Sequence, residues 1–500
     1  MQIEYIIVQA GGSGTRLGRL THNKPKSLVA VKNRPILFHM FERFPRASFI
    51  IIGDYKYDIL ERYLRTFAKV DYKLVNTEKK GNAAGICKAL SLLPSGVPFM
   101  IVWSDVLLSA DLHFDGLLDG NYIGLTSQFP CSWCMKDGAL QKESDGKQGV
   151  AGVFLFREKS VLDNLPVEGS LMGWINDTGI ELTPFDILDS REVGTIEAIT
   201  AIDSGENRCR PYNSLKFHDN LVIKSALTDE GQKLIDKEVV WYRAMIEYGF
   251  PNIPGIHKFN PLTMSRINGK NIFEEQLSRD AKRETVLALV NTLDQMHSYD
   301  SCPADLESLN IEYYEKTLAR LDSVRNAIPL TDDKIITING RKCRNPLFFR
   351  VGFKKMVEER LFDTIYRPIH GDCTLTNTMK DSTNNIYFID ARGYFGKNEV
   401  FGDVYYDWAK LFYSISGNFD QFNIKNFSLE IGENEINYDI QSNGWEFLTD
   451  YYLSLIDCNY EKIKLIHAII WLSLASHCWE DFDSLCTAFY NGVSLLEDCW

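Results

Sequence analysis

Three apolar runs in the first part of the chain, Ile3 to Val8, Ser48 to Ile52 and Phe99 to Trp103, have the hydrophobicity of strands buried on both faces. Between them, Tyr57 to Phe67 and Ala83 to Leu93 repeat apolar side chains at helical spacing. Strand alternating with helix predicts a doubly wound, mostly parallel α/β sheet, and Gly149 to Phe156 reads as a further strand. The pattern changes around Arg210-Pro211. Leu221 to Lys224 then reads as a short strand and Gly231 to Tyr248 as a helix. From Asp280 onward the chain is mostly helical, interrupted by His370 to Asp390. These shifts predict two domains, residues 1–212 and 213–500, with no flexible linker between them.

Composition narrows the picture. A chain of 500 residues with 45% hydrophobic side chains is too long for one ordinary core. Its 11 cysteines are odd in number and scattered over both halves, which fits a reducing, cytoplasmic setting. Cys131-Ser132-Trp133-Cys134 is a lone CxxC with no second pair, and it reads as a surface loop. Met1 to Ala10 reads as a first strand, not a signal peptide. Ile463 to Trp479 contains Lys464 and His467 and is short for a membrane span, so it reads as a buried helix. The net charge of −13 is uneven: residues 1–212 carry 24 basic and 25 acidic side chains, the remainder 30 and 42. That balance argues against a general nucleic-acid footprint.

Two stretches carry candidate chemistry. The first is Gly11-Gly12-Ser13-Gly14-Thr15-Arg16-Leu17, followed by Lys24-Pro25-Lys26-Ser27-Leu28. Strand, glycine loop and helix make a phosphate cradle, in which backbone amides face the anion. No Gly-Lys-Ser/Thr closes the loop, so it is not a Walker A sequence. Nor does it carry the third glycine of a dinucleotide fingerprint. With Arg16, Lys26 and the acidic strand end Trp103-Ser104-Asp105, these residues resemble the sugar nucleotidyltransferase family, over roughly the first 210 positions. The resemblance implies a Rossmann-like fold in which Arg16 neutralises the triphosphate and Lys26 offsets charge at the α-phosphate. Asp105 would hold Mg²⁺. Gln9, Ala10, Gly11, Gly12, Gly14 and Thr15, with the turn Gly81-Asn82-Ala83-Ala84-Gly85, would bind the nucleotide. A second metal carboxylate is usual late in that family's domain. Asp203, in Ala201-Ile202-Asp203-Ser204-Gly205, is nominated for it, with Asp186 as the runner-up.

The second stretch is His370-Gly371-Asp372-Cys373-Thr374-Leu375-Thr376-Asn377, followed by Ile389-Asp390. Phosphoryl transfer needs a phosphate anchor, a group that orients the hydroxyl and metal ligands. Asp372 suits the hydroxyl, and Asn377 and Asp390 suit Mg²⁺. Lys224, in Val222-Ile223-Lys224, suits the anchor, with Glu238 on the next helix placed to pair with it. From about Tyr212 onward the chain resembles the aminoglycoside phosphotransferase and choline kinase family. This implies a protein-kinase-like α+β domain with a largely helical lobe. Phe401-Gly402-Asp403-Val404-Tyr405-Tyr406-Asp407 matches that family's Gly-Asp-x-x-x-Asp segment, and Asp403 and Asp407 read as supporting structure. No glycine-rich pattern lies between Tyr212 and Asn220, where the nucleotide-covering loop is expected. Trp408, Trp445, Trp471 and Trp479 suit either an acceptor pocket or, more commonly, a helical core.

A kinase makes a phosphomonoester and a nucleotidyltransferase consumes one. The two resemblances together imply a bifunctional enzyme that phosphorylates a small alcohol, in the first place a sugar, from ATP. It then joins the phosphate to a nucleotide from a second NTP, CTP or UTP, and releases pyrophosphate. The product would be an activated precursor for surface glycan synthesis. One alternative keeps both steps but uses choline or another amino alcohol, giving CDP-choline. Another, of a different class, is a nucleotide-binding regulatory protein with an inactive kinase half.

Overall fold

The computed structural model describes residues 3–500 apart from 78–80, 115, 118, 137, 143–147 and 204–211. The pattern change at Arg210-Pro211, and Ser204 and Gly205 of the Asp203 segment, lie outside the described residues. The chain divides into two compact units, one built mainly from residues 1–206 and the other mainly from residues 207–500.

The first unit is a three-layer α/β structure. The strand Tyr5–Gln9 runs parallel to Ser48–Ile52 on one side and to Phe99–Trp103 on the other, and Tyr72–Val75 extends the parallel part beyond Ser48–Ile52. Helices Tyr57–Phe67 and Asn82–Ser91 occupy the crossovers that the periodicity predicts. The expectation of a mostly parallel sheet needs a correction. Gly149–Phe156 joins Phe99–Trp103 antiparallel, then pairs antiparallel with Tyr122–Thr126. Thr183–Asp186 returns parallel beside that strand, so the sheet is mixed. Among the described residues no long helix lies between Trp103 and Gly149. Without such a crossover a neighbouring strand can return antiparallel.

Ile7, Ile50, Ile101 and Phe154 form one face of this sheet, against Ala83, Ile86 and Leu90 of the crossover helix and Met172 and Ile175 of Leu171–Thr178. Burying each aliphatic side chain there contributes roughly 1.5–3 kcal/mol. A second cluster, Leu17, Val29, Val31, Ile36, Val193, Ile199 and Ile202, ties the segment after the glycine loop to residues 193–202. This smaller core positions the first candidate site.

The second unit begins with an antiparallel sheet in the order Asn213–His218, Leu221–Ala226, Leu262–Ser265, Ile256–Phe259. The first two strands close through the tight turn Asp219-Asn220, and Asp219 takes a left-handed φ of 42°. The helix Asp229–Glu247 comes next, capped by the Thr228 hydroxyl. Beyond it lie the helices Arg279–His297, Val404–Ile415, Tyr460–Leu474 and Phe482–Glu497. The expectation that the chain is mostly helical from Asp280 onward, interrupted by His370 to Asp390, leaves out a further sheet. Ile335–Ile338, Arg341–Arg344, Phe427–Ile431 and Glu435–Ile440 form a four-stranded sheet of their own. Phe-Ser-Leu-Glu-Ile at 427–431 and Glu-Ile-Asn-Tyr-Asp-Ile at 435–440 do alternate apolar and polar side chains, a period-2 signal that marks these two strands. Trp408, Trp445 and Trp471 are buried, and Trp471 packs edge-on to Tyr413 and Phe422. Among the described residues no helix is long and apolar enough to cross a membrane.

Candidate active sites

The loop Gly11–Gly14 leaves the end of the central strand, where Ala10 N donates to Ile52 O. Gly14 takes a left-handed φ of 64° and packs against Lys26 Cβ and the Thr21 methyl. A side chain there would strain the backbone and displace Lys26. The segment after the loop departs from the expected α-helix. Thr15–Thr21 is a pair of 3₁₀ turns broken at Gly18, so the phosphate cradle is made of loop amides without a helix macrodipole behind them. Gly12 and Thr15 are exposed at its rim.

Lys26 is buried and pairs with Asp105. Arg16, largely exposed, donates from Nη2 to Glu192 Oε1 at 3.0 Å. Glu192 lies on the short strand Arg191–Glu192, antiparallel to Val106–Leu107, and Val193 N donates to Asp105 O. One edge of the sheet therefore presents two carboxylates and two cations. Gly194 sits among them: a Cβ there would meet Glu192 Oε1 at 2.0 Å, Lys26 Nζ at 2.7 Å and Arg16 Nη2 at 2.9 Å. Both acids also act on Cys131, whose thiol is pushed up to about 11 by burial and then by Glu192 and Asp105. The CxxC cysteine thus borders the site as a neutral thiol.

The nominated second carboxylate is placed elsewhere. Asp203 ends the helix Ile196–Asp203 and accepts from Lys32 N at 2.8 Å, in the turn between Ala30–Val31 and Arg34–Pro35. Among the described residues no hydrogen bond or ion pair joins it to Arg16, Lys26 or Asp105. The runner-up, Asp186, is exposed on the edge strand Thr183–Asp186. Glu192 is the carboxylate that lies beside Arg16 and Lys26. Glu192-Val193-Gly194 has the same acid-x-Gly spacing as Asp203-Ser204-Gly205, so spacing alone does not separate the two.

Gln9, Gly81, Asn82 and Ala83 do come together. Gln9 Nε2 donates to Asn82 O at 3.3 Å, Asn82 Oδ1 accepts from Leu171 N at 2.9 Å, and Ala83 N donates to Gly169 O at 3.2 Å. Gly81 holds φ at 93°, and a Cβ would lie 2.1 Å from Gly169 O, so only glycine fits.

In the second unit, Lys224 Nζ lies 2.6 Å from Glu238 Oε2 and 2.5 Å from Asp390 Oδ1. Burial works against the Lys224 charge, but Asp390 and Glu238 outweigh it and raise its pKa. Burial pushes the Glu238 carboxyl up against the pull of Lys224. Asp390 sits at a left-handed φ of 58°, with its side chain half-exposed. Asn377 Nδ2 donates to Asp372 O and to Asp372 Oδ2, both at 2.9 Å. Its side-chain carbonyl oxygen remains the atom suited to a cation.

Asp407 organises this loop. Its carboxylate accepts from His370 N at 2.8 Å and Gly371 N at 2.7 Å, and His297 Nε2 lies 3.0 Å away. Asp403 caps the helix Val404–Ile415 and accepts from the Tyr313 hydroxyl at 2.7 Å. Burial pushes the Asp403 carboxyl up to about 6, the tyrosine offsetting part of that. Lys410 escapes the motif reading altogether. It reaches Asp372 Oδ1 at 2.9 Å from the same helix.

Comparison with known proteins adds one decision. The family model "Nucleotidyl transferase" matches residues 5–118, the stretch that carries the glycine loop, Lys26, the Gly81 turn and Asp105. The first unit carries a nucleotidyl transferase domain. The chain is 31% identical over 166 residues to the mannose-1-phosphate guanylyltransferase catalytic subunit beta of Drosophila melanogaster, covering 32% of this chain and 42% of that protein. It is 36% identical over 188 residues to the protein of the same name from Drosophila pseudoobscura pseudoobscura, covering 32% and 50%. The chain thus spans half or less of the length of these curated relatives. Among solved structures, the inositol-1-phosphate CTP transferase from T. maritima aligns over 41% of this chain and 99% of its own, at 18% identity and a TM-score of 0.34. In the nucleotidyl transferase domain, Arg16, Lys26, Asp105 and Glu192 form the candidate centre.

Proposed function

We propose that the chain is a bifunctional enzyme. Its second unit phosphorylates a small alcohol from ATP, and its first unit couples the phosphomonoester to a nucleotide. The observation that carries this reading is the pairing Lys26–Asp105 with Arg16–Glu192 at the rim of a glycine loop. It supplies cations for the triphosphate and carboxylates for a metal in one place. Residues 1–212 would form the transferase domain and 213–500 a kinase-like one.

In the transferase step an oxygen of the acceptor phosphate attacks the α-phosphorus of the NTP. The bond from that phosphorus to the bridging oxygen breaks, and pyrophosphate leaves. Arg16 binds the triphosphate, and Lys26 offsets charge gathering on the α-phosphate. Asp105 and Glu192 fit Mg²⁺, since both are hard oxygen donors and that ion takes one or two carboxylates beside phosphate oxygens. Bound there, it would supply charge neutralisation and orientation. Gln9 with the Gly81–Ala83 turn faces the base. Relatives named for mannose 1-phosphate and, in Streptomyces antibioticus, glucose 1-phosphate support a sugar 1-phosphate as acceptor.

In the kinase step the acceptor hydroxyl oxygen bonds to the γ-phosphorus, the bond to the β,γ-bridging oxygen breaks, and the hydroxyl proton passes to Asp372. Lys224, oriented by Glu238, anchors the α- and β-phosphates. Asn377 and Asp390 supply oxygen donors suited to Mg²⁺. The tight hairpin at Asp219-Asn220 replaces a glycine-rich cover. Burial of Trp408, Trp445 and Trp471 in the helical core leaves those three without the role of a quaternary-ammonium cage, which favours a sugar over choline.

The test is incubation of the full chain with Mg²⁺, ATP, each NTP in turn and a panel of sugars and amino alcohols, followed by mass spectrometry. An NDP-sugar with stoichiometric pyrophosphate is expected. CDP-choline as the only product would replace the sugar reading.

A further inference from the structure

We propose that Lys410 is a positioning residue of the phosphoryl-transfer site, gripping Asp372 from one turn beyond Asp407 and setting its carboxylate toward the acceptor hydroxyl. The inference rests on the reading of His370 to Asp390 as that site.

The helix Val404–Ile415 meets the loop at two points. Asp407 accepts from the backbone of His370 and Gly371, which fixes the path of the chain. Lys410 stands three residues later, on the same helix face. Its ammonium reaches Asp372 Oδ1 at 2.9 Å, while Asn377 Nδ2 holds Oδ2 at 2.9 Å. The two oxygens are thus gripped from separate elements. One residue fixes the loop and the other fixes the side chain that the loop carries.

The Lys410 side chain is only 15% exposed, and the rings of Tyr406 and Tyr413 flank it at 6.0 and 5.2 Å. Those residues lie one turn to either side, so the helix itself houses the lysine. A lysine held among tyrosines without a countercharge would be pressed to neutrality by desolvation. Here burial works in that direction, but Asp372 and then Tyr406 outweigh it and keep Lys410 a cation.

This role differs from packing in the kinetic constant it moves. A carboxylate held out of place slows the step that uses it while the nucleotide still binds. Lys410→Met keeps the length of the side chain and removes the charge. It should cut kcat for phosphoryl transfer by about 10- to 100-fold and leave KM for ATP within twofold of the parent. Lys410→Arg should restore most of the rate.

The measurement is kcat and KM for Mg²⁺-ATP hydrolysis to water and for transfer to the acceptor panel, with melting temperatures alongside. Parent activity that is lost in Asp372→Asn but unchanged in kcat in Lys410→Met overturns the inference and leaves the site reading standing. A parent as inactive as Asp372→Asn overturns the site reading, and the inference with it. If Lys410→Met does not fold, Lys410→Arg decides: most of the parental kcat at an unchanged KM for ATP supports the inference, and a loss as deep as in Asp372→Asn contradicts it.

Discussion

Arg16 Nη2 donates to Glu192 Oε1 at 3.0 Å, joining the glycine loop to a two-residue strand 176 positions away. The contact places a carboxylate beside Lys26 and Asp105. Glu192→Gln keeps the shape but removes the charge. It should raise the Mg²⁺ concentration needed for half-maximal pyrophosphate release by about 10- to 100-fold, the usual effect of losing a support of a metal site. Asp203→Asn, which alters only the turn at Lys32, should stay near the parent rate. The check is a Mg²⁺ titration of both variants, and equal losses would return Asp203 to the site.

Lys26→Ala should lower nucleotidyl transfer by about 10²- to 10³-fold, the cost of losing one preorganised charge at the reacting phosphate. Lys224-dependent ATP turnover should be unaffected. Pyrophosphate release near the parent rate would remove Lys26 from the reaction.

Gln9 reaches Asn82 O at 3.3 Å, next to the turn that Gly81 makes possible. Replacing Gln9 by Glu should change the ranking of the four NTPs while leaving ATP turnover at the second site unchanged. A ranking identical to the parent's would take Gln9 out of base selection.

What the sequence makes legible depends on how far apart the cooperating residues are. The glycine loop and Asp105 follow the ends of two paired strands, and Lys26 belongs to the motif that follows the loop, so periodicity and motif find them together. Lys224, Glu238 and Asp390 are legible for the same reason, since a strand, the next helix and a post-strand acid each have a pattern. Glu192 and Lys410 are not. Each enters its site across a pairing or a helix face that only tertiary structure defines. Asp203 and Glu192 each stand two residues before a glycine, so the pattern alone does not choose between them; in the structure Asp203 accepts from Lys32 N and Glu192 from Arg16. Strand direction is equally hidden: the eight residues of Gly149–Phe156 are all buried, and continuous burial reads the same whether the strand runs parallel or antiparallel.

Asp420 provides a pH prediction independent of both sites. It is buried, and burial pushes its carboxyl from 3.8 up to about 7, the Ser414 hydroxyl offsetting only part of this. Between those values the folded chain holds a proton that the unfolded chain has released. Its contribution to stability therefore falls as pH rises from about 4 to about 7. Asp420→Asn should gain stability relative to the parent at pH 8 and lose that advantage at pH 4.5. Urea midpoints at the two pH values measure it. A difference independent of pH would contradict the shift.

The central claim is that two sites on one chain act in sequence, and complementation by the intermediate tests it most directly. Full-length Asp372→Asn and Asp105→Ala proteins are each given Mg²⁺, ATP, the accepted NTP and either the free alcohol or its preformed phosphomonoester. The account predicts that Asp372→Asn makes no nucleotide product from the alcohol but makes it at the parent rate from the phosphomonoester. Asp105→Ala should accumulate the phosphomonoester and couple neither substrate. Asp372→Asn protein that converts the free alcohol to nucleotide product at the parent rate would contradict it.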